Sequence, residues 1–183
     1  GKPTSQDIIS ILTAAGAGQN AIEKASAAVG KTNVESSLQV EKVTSGGKSS
    51  YESTLSVKIT NNAGKKLINV KVVEQIPKSV AKKASDISSA YQFSVLKDDP
   101  ILEFSIGELQ ANETKEVSYK VKSNVTQASF DSFMQPVVSE ATEVEEAADA
   151  CLGVNCDDGN SCTTDICSSG TCSNVPVVDG TTC

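Results

Sequence analysis

The residues with the clearest chemistry are six cysteines, all within the last 33 residues of this 183-residue chain. An even, clustered set of cysteines in a segment with almost no apolar core predicts disulfide bonds, and disulfides persist in oxidising compartments. We therefore predict that the six pair among themselves and that the chain is exported. The six are Cys151, Cys156, Cys162, Cys167, Cys172 and Cys183.

Zinc is the alternative ligand for such a cluster. Structural zinc sites favour cysteines two to four residues apart, often together with histidine. Here the gaps are four, five and ten residues and the chain has no histidine. The spacing therefore favours disulfides, with about 15 possible pairings.

Four oxygen-bearing side chains surround the second and third cysteines and could gather around calcium, a hard cation that prefers carboxylate and carbonyl ligands. They are Asp157, Asp158, Asn160 and Asp165. Their spacing does not match an EF-hand. The alternative is an Asp-Gly-Asn turn in which these side chains cap neighbouring backbone N–H groups. Calcium is the one cofactor for which the sequence offers candidate ligands.

Two Asn-x-Thr sequons are candidate glycosylation sites. Asn112 and Asn124 are each followed two residues later by threonine. Asn112 lies in a predicted surface loop, where an acceptor asparagine must be placed.

The chain lacks residues that several classes of function require. The chain has neither histidine nor arginine, so its 16 basic residues are all lysines. It lacks the commonest general base and the bidentate fork that recognises phosphate. No nucleophile motif is present, so only an enzyme that works with carboxylates alone, such as a glycosidase, is conceivable. We expect no catalysis and no nucleic-acid partner.

The charge is divided unevenly along the chain. Up to the last lysine, Lys122, there are 13 acidic residues against 16 lysines, a net charge of +3, and the remainder carries 10 acidic residues and no lysine. The tail is therefore an acidic block on a mildly basic body, and two copies can attract each other head to tail.

Two short helices are predicted at the N-terminus. Ile8, Ile11 and Leu12 fall on one face of a helix over residues 4–15, with Thr4 and Asp7 at capping-box spacing. A second helix over residues 19–29 should end at Gly30. Because so short a pair of helices buries little by itself, we expect it to form an alanine-rich cap or spacer that packs on a neighbour. The alternative is an oligomerisation helix, for which the faces of Ile8, Ile11, Leu12 and Ile22 are the candidate anchors.

From residue 34 the apolar period changes to two, which predicts antiparallel strands. The predicted strands are residues 34–43, 51–60, 67–76, 92–96, 101–106 and 116–122, with turns at Gly46-Gly47 and at 61–64. Short strands about ten residues apart are typical of a Greek-key sandwich. Parallel helix–strand alternation is missing.

Two motifs stand out within residues 34–125: an N-x-x-G-x-x-L-x-N-V segment at Asn61–Val70, and an I-G-x-L segment at 106–109 that leads to Glu113-Thr114. With these motifs, residues 34–125 resemble the immunoglobulin-like repeats of prokaryotic, especially archaeal, surface proteins. In that family the first segment is a turn between two strands and the second is the loop before the last strand. Asn and Gly tolerate positive φ, so both are expected to form hairpins. The resemblance implies a scaffold.

The C-terminal segment, residues 151–183, contains C-D-D-G-N-S-C-T-T-D-I-C at Cys156–Cys167. It resembles the Cys-rich repeats of slime-mould matrix proteins and bacterial secreted surface proteins. Before it, residues 126–150 are expected to form an edge strand around Val137-Val138 and then an extended acidic linker from Glu140.

These observations predict a mainly β chain in four parts: a helical segment 1–33, an immunoglobulin-like antiparallel sandwich 34–125, the edge strand and linker 126–150, and a disulfide-rich module 151–183. No apolar run is long enough to span a membrane, and we expect the chain to be a piece of a longer exported protein. The predicted function is a non-enzymatic structural or adhesive module at the cell surface or in the matrix, with other surface modules or copies of itself as partners. The alternative is a subunit of an extracellular filament. A carbohydrate- or protease-binding module is a third class, without a supporting motif.

Overall fold

The structure is a computed structural model that describes residues 2–144 and 150–178. The chain divides into two compact units, Gly1–Val144 and Glu145–Cys183, which we call the two-sheet unit and the disulfide unit. The fold is mainly β, with antiparallel sheets throughout. None of the described helices is long and apolar enough to cross a membrane.

The helices of the two-sheet unit are α1 (Ser5–Ala14), α2 (Gln19–Lys31) and the single turn α3 (Gln127–Phe130). Its strands are β1 (Thr32–Ser45), β2 (Lys48–Asn61), β3 (Leu67–Gln75), β4 (Ile87–Ser88), β5 (Phe93–Lys97), β6 (Ile101–Leu109), β7 (Thr114–Val121) and β8 (Val137–Glu143). The disulfide unit contains β9 (Thr163–Ser168) and β10 (Thr171–Pro176).

The strands of the two-sheet unit form two four-stranded sheets that share one core. The first has the order β1-β2-β7-β4 and the second has the order β5-β6-β3-β8. Large buried side chains from both sheets meet between them, among them Leu55, Phe104 and Tyr119. The rings of Phe104 and Tyr119 stack across this core with centroids 6.1 Å apart.

The N-terminal helices cover one sheet of this unit. The predicted capping box begins α1: Thr4 Oγ1 accepts from the Asp7 N–H and the Asp7 carboxylate accepts from the Thr4 N–H. The predicted stop of α2 at Gly30 is wrong, because the helix continues to Lys31. Thr32 Oγ1 then donates to the Ala28 carbonyl at 2.9 Å, which satisfies a carbonyl of the last turn.

The apolar helix faces that are candidate oligomerisation anchors are buried within the two-sheet unit. Ile8, Ile11 and Leu12 are at most 3% exposed. They pack in a second apolar cluster with Ala25 of α2 and with Val73, Ile101 and Val137 of the second sheet. Ile22 packs at the edge of this cluster. The helices therefore pack as a cap on the second sheet rather than present free anchors, because the sheet supplies the apolar surface that two short helices lack.

The first hairpin is longer than predicted. β1 and β2 pair in unbroken register from Thr32↔Asn61 to Ser45↔Lys48, around Gly46 and Gly47 with φ of +57° and +76°. β7 pairs only with residues 53–60 of β2, so the tip of the hairpin extends beyond the sheet as a two-stranded ribbon. Sequence reasoning missed β4, a strand of two residues.

The two segments expected to be hairpins are instead crossings between sheets. Residues 61–66 connect β2 of the first sheet to β3 of the second, and residues 110–113 connect β6 of the second to β7 of the first. Ile106 to Leu109 belong to β6 rather than to a loop. Positive φ at Asn69 (+56°) and Gly107 (+80°) accompanies shifts in the pairing of β3 with β6, as in a β-bulge. Turn residues identify a change of direction but not which sheet the chain enters next.

The predicted edge strand is present as β8, in which Val137 and Val138 are fully buried. The acidic segment begins later than predicted, because Glu140 and Glu143 lie within β8. Each contacts a lysine: Lys71 Nζ lies 3.5 Å from Glu140, and Lys31 Nζ lies 3.3 Å from Glu143. Glu145, Glu146 and Asp149 lie outside the described residues.

Candidate functional site

The cysteines of the disulfide unit are joined around a small hairpin. β9 and β10 pair across a turn at Ser169 and Gly170, both at positive φ, and Cys167 lies opposite Cys172. These two do not bond to each other. Cys151 bonds to Cys167 and Cys156 bonds to Cys172, so two upstream residues are attached to neighbouring strands. The predicted disulfide bonds are therefore present. Cys162 is also disulfide-bonded, and Cys183 lies outside the described residues.

Three of the four candidate calcium ligands come together beside this hairpin. Carboxylate oxygens of Asp157, Asp158 and Asp165 lie within 4.8 Å of one another. Oxygen donors of this kind suit calcium. The Asn160 side chain is occupied elsewhere, since its Oδ1 accepts from the Cys162 N–H at 3.0 Å.

The same carboxylates also hold the loop together. Asp157 Oδ1 accepts from the Gly159 N–H at 2.8 Å, and Asp158 Oδ1 accepts from the Asn160 N–H at 2.9 Å. Asp158 further accepts from Thr163 Oγ1 and from Asn174 Nδ2, each at 3.0 Å. The Asn160 N–H, followed by the two side-chain donors, lowers the pKa of the Asp158 carboxyl. The loop thus has the Asx turns predicted as the alternative to calcium, and calcium binding stays a prediction.

Both sequon asparagines are at the surface. Asn112 is exposed in the 110–113 crossing at φ +63°, and its backbone N–H donates to the Asn61 carbonyl at 3.0 Å. Asn124 is exposed just after β7. Their threonines make hydrogen bonds: Thr114 Oγ1 lies 2.8 Å from Thr60 Oγ1, and Thr126 Oγ1 accepts from the Ser129 N–H. Glycosylation at either site stays a prediction.

The most unusual group in the described chain is one that sequence reasoning missed. Glu74 of β3 is 3% exposed and lies in the core between the two sheets. Its Oε1 accepts a hydrogen bond of 3.1 Å from the Tyr119 hydroxyl, whereas its Oε2 has no hydrogen-bond partner. Burial raises the pKa of the Glu74 carboxyl to about 8, against a smaller lowering by the Tyr119 hydrogen bond. At neutral pH this carboxyl is therefore mostly protonated.

Glu74 lines a cavity of about 430 Å³. One wall comes from β1, with Glu35 and Ser36, and another comes from the end of α3 and the segment that leads to β8. This second wall contributes Phe130, Asp131, Phe133, Met134 and Gln135. A cavity of this size is in the range of small-molecule sites.

A signal for this site exists in the sequence. Val70, Val72, Glu74 and Ile76 alternate along one strand, so the register that buries the three apolar residues also turns Glu74 inward. A carboxylate in an apolar row is costly unless it is neutral or paired. The sequence could not show which side chains would surround it, because they come from distant segments.

Comparisons with known proteins add little to this geometry. No protein-family model matches the chain, and no curated protein sequence matches it. Two solved structures that resemble part of it are of an exo-β-N-acetylglucosaminidase from Vibrio harveyi, one an inactive mutant and one in complex with N-acetylglucosamine. Each is 13% identical, covers 61% of this chain and 18% of the enzyme chain, and has a TM-score of 0.35. At that similarity the likeness supports no inference about fold or function.

Proposed function

We propose that this chain is a non-enzymatic structural or adhesive module of a secreted cell-surface or extracellular-matrix protein. The observation that carries the proposal is the pair of disulfide bonds, Cys151–Cys167 and Cys156–Cys172, in a unit whose large apolar residues are mostly exposed. A small unit without a core depends on such bonds, and they persist only in an oxidising environment.

An immunoglobulin-like identity for the two-sheet unit is part of this proposal. In that fold, strands A, B, E and D form one sheet and strands C, F and G form the other. The order β1-β2-β7-β4 corresponds to A-B-E-D, and the pairing of β3 with β8 corresponds to C beside F. The hairpin of β5 and β6 is then an insertion between D and E. This correspondence supports the proposal, although no strand of the described two-sheet unit pairs with the outer edge of β8 as G would.

The buried polar groups of the unit also support a scaffold role, because several of them connect chain segments. Ser53 is fully buried; its Oγ donates to the Ser123 carbonyl at 2.7 Å and accepts from the Val125 N–H at 3.0 Å. Asn61 is fully buried and joins the two crossings between sheets. Such contacts make a rigid spacer.

A subunit of an extracellular filament is the second candidate. The division of charge into +3 up to Lys122 and ten acidic residues after it favours head-to-tail association. The ribbon at the tip of β1 and β2 adds exposed apolar residues, Val40, Val43 and Tyr51, on strands with open edges. The N-terminal helices are not the anchor, since their apolar faces are buried.

Two measurements test the proposal on the full chain. Light scattering from low to high concentration, in low and high salt, separates a monomeric spacer from a filament subunit. Assembly of a filament subunit should weaken as the salt concentration rises past about 0.1 M, because the Debye length is then only about 10 Å and the charges are screened. Beads coated with the chain then report adhesion to matrix proteins and polysaccharides.

The non-enzymatic part is tested separately. A panel of aryl glycosides and peptides should show no turnover above buffer. Turnover that Glu74→Gln abolishes would overturn this part, because Glu74 is the buried carboxyl with the protonation state of a general acid. The extracellular location is tested by reducing both disulfides in a thiol buffer at a cytosolic redox potential. If the reduced disulfide unit still resists proteases, the proposed dependence on an oxidising environment is wrong.

A further inference from the structure

Three buried oxygen atoms around the Glu74 cavity have no hydrogen-bond partner. They are Glu74 Oε2, Ser36 Oγ and Gln135 Oε1, and they come from β3, from β1 and from the segment before β8. Buried polar atoms are nearly always paired in native proteins. These oxygens belong to residues that line one cavity. Ser36 Oγ and Gln135 Oε1 can accept a hydrogen bond, and Glu74 Oε2 can accept one once the carboxyl has lost its proton, so a partner that displaces this proton and offers donors would satisfy all three.

The charge of the cavity indicates the sign of that partner. Glu35, Glu74 and Asp131 line it, and none of the described residues that line it is a lysine. Two of these carboxylates, those of Glu35 and Asp131, belong to exposed residues at the cavity. Because Glu74 is mostly protonated at neutral pH, Glu35 and Asp131 supply the charge at the cavity, and this negative charge favours a cation.

The remaining walls are apolar. Phe130 and Phe133 lie beside each other with ring centroids 5.6 Å apart, and Met134 follows them. Aromatic faces attract cations, and an aliphatic chain can pack against these rings and against the thioether of Met134. A ligand with a cationic end and an apolar stem matches both kinds of wall.

The spacing of the carboxylates decides between a metal ion and an organic cation. Among the described residues, the group of three acidic side chains with oxygens close enough to share an ion is Asp157, Asp158 and Asp165. Glu35, Glu74 and Asp131 do not form such a group. Calcium needs six to eight oxygens at about 2.3–2.6 Å, so a compact ion fits this cavity poorly.

We propose that the Glu74 cavity binds a primary ammonium group on an unbranched aliphatic stem. An ammonium group has three donors and no acceptor, and the deprotonated Glu74 together with Ser36 and Gln135 would offer it three acceptors. The stem packs against the side of Phe130 and Phe133. This inference goes beyond the proposed function and does not depend on it. The ammonium can come from a free alkylamine or from the lysine side chain of another protein.

Binding is coupled to the proton on Glu74. The groups near this carboxyl are the Tyr119 hydroxyl of β7, which donates to it, and the carboxylates of Glu35 on β1 and Asp131 after α3, which line the same cavity. Burial holds the pKa of Glu74 at about 8 in the free protein. A bound ammonium favours the charged carboxylate and lowers that pKa. At pH 7 binding therefore releases protons to the buffer, and affinity rises as the pH rises towards the pKa of Glu74.

The test is isothermal titration calorimetry on the full chain at pH 7, in two buffers that differ in ionisation enthalpy. The probes are n-butylammonium, representing a free amine, and Nα-acetyl-lysine methylamide, representing a protein side chain. Nα-acetyl-norleucine methylamide has a similar stem without the charge, and calcium chloride represents a metal ion. Binding of either ammonium probe, with proton release and without binding of the norleucine compound, is the expected result.

The variants assign the effect to named residues. Glu74→Gln keeps the shape and the bond from Tyr119 but should weaken ammonium binding at least about tenfold and abolish proton release. Glu35→Gln and Asp131→Asn change exposed residues, so they remain informative if Glu74→Gln does not fold, and each should weaken binding a few-fold. Glu41→Gln, an exposed residue of β1 outside the cavity, is the matched control and should bind as the parent does.

The outcomes separate clearly. Tighter binding of the lysine compound supports a protein partner, tighter binding of butylammonium supports a free amine, and equal binding supports the shared ammonium site. The proposal is overturned if neither ammonium probe binds at millimolar concentration or if the norleucine compound binds equally well. It is also overturned if calcium binds and Glu74→Gln abolishes that binding, which separates the cavity from the Asp157, Asp158 and Asp165 group, or if the cavity variants bind like Glu41→Gln.

Discussion

The Tyr119 hydroxyl donates a hydrogen bond of 3.1 Å to Glu74 Oε1 from the opposite sheet, and both side chains are at most 3% exposed. Burial, together with the neighbouring Glu74, raises the pKa of the Tyr119 phenol well above its usual value. Tyr119 therefore remains a neutral donor at every pH at which the protein is handled. The bond joins β3 to β7 through the core.

Replacing Tyr119 with phenylalanine removes this donor and keeps the ring. We expect the free energy of unfolding to fall by about 1–3 kcal/mol, because a buried acceptor loses its partner. The pKa of Glu74 should rise further, since the hydrogen bond lowers it. Urea unfolding and carboxyl NMR titration measure the two effects. Tyr51→Phe, at a tyrosine that is 42% exposed, is the control and should change neither.

Stability should decrease as pH rises through the neutral range. Folded Glu74 keeps its proton up to a pKa of about 8, whereas the unfolded chain releases it near the ordinary value of 4.5. Between these two pKa values the folded state binds more protons than the unfolded state. The free energy of unfolding is therefore highest below the unfolded pKa and decreases as the pH rises towards the folded pKa, by up to about 1.4 kcal/mol per pH unit. Urea midpoints from pH 5 to 8 measure this slope.

Glu74→Gln should flatten that pH dependence. Asp99, Glu108 and Asp158 have lowered pKa values, so their contributions are lost only as the pH falls through the acidic range, below this window. An unchanged slope in Glu74→Gln would contradict the assignment to Glu74.

Asn61 should be among the least replaceable polar residues of the unit. Its Nδ2 lies 2.7, 3.1 and 2.9 Å from the carbonyl oxygens of Lys65, Leu109 and Gln110, which share its two N–H donors. Its Oδ1 accepts from the Ala63 N–H at 2.9 Å. Asn61→Ala leaves these groups unpaired, and we expect a loss of roughly 2–4 kcal/mol in unfolding free energy. The neighbouring Asn62 is exposed, and Asn62→Ala should cost little; equal losses would contradict the role of Asn61.

The N-terminal helices should contribute to stability rather than to self-association. Ile11 is fully buried against the second sheet, whereas Ile9 on the same helix is 44% exposed. Ile11→Ala should lower the unfolding free energy by about 2–4 kcal/mol, and Ile9→Ala by no more than about 0.5 kcal/mol. Light scattering of both variants checks assembly. Normal stability with lost assembly in Ile11→Ala would restore the anchor hypothesis.

Disulfide mapping should recover three bonds, all between cysteines from Cys151 onwards. Peptides joined through Cys151–Cys167 and Cys156–Cys172 are expected in a non-reducing digest. Since Cys162 is also disulfide-bonded, we predict that it pairs with Cys183, the one cysteine left in the sequence. Replacing Cys151 and Cys167 with serine should destabilise the disulfide unit by about 3 kcal/mol, from the loop that the bond closes. The two-sheet unit has no cysteine and should unfold as before; free thiols in the intact chain would refute the pairing.

Local patterns in the sequence were enough to predict most of the helices and strands and the presence of disulfide bonds. The capping box at Thr4, the period-two strands, the Gly46-Gly47 turn and the clustered cysteines each depend on residues close together in the chain. Propensity, side-chain alternation and turn geometry act over a few residues, so the sequence carries them directly.

Only the tertiary structure decided which surfaces meet. The burial of Ile11 by the second sheet, the use of residues 61–66 and 110–113 as crossings between sheets, and the cavity around Glu74 all join residues far apart in sequence. A strand pattern states which side chains share a face, but the choice of facing sheet depends on packing of the whole core. Glu74 shows the difference. Strand alternation alone turns its side chain inward, whereas Tyr119, Ser36 and Gln135 come near it only because distant segments meet in the folded chain.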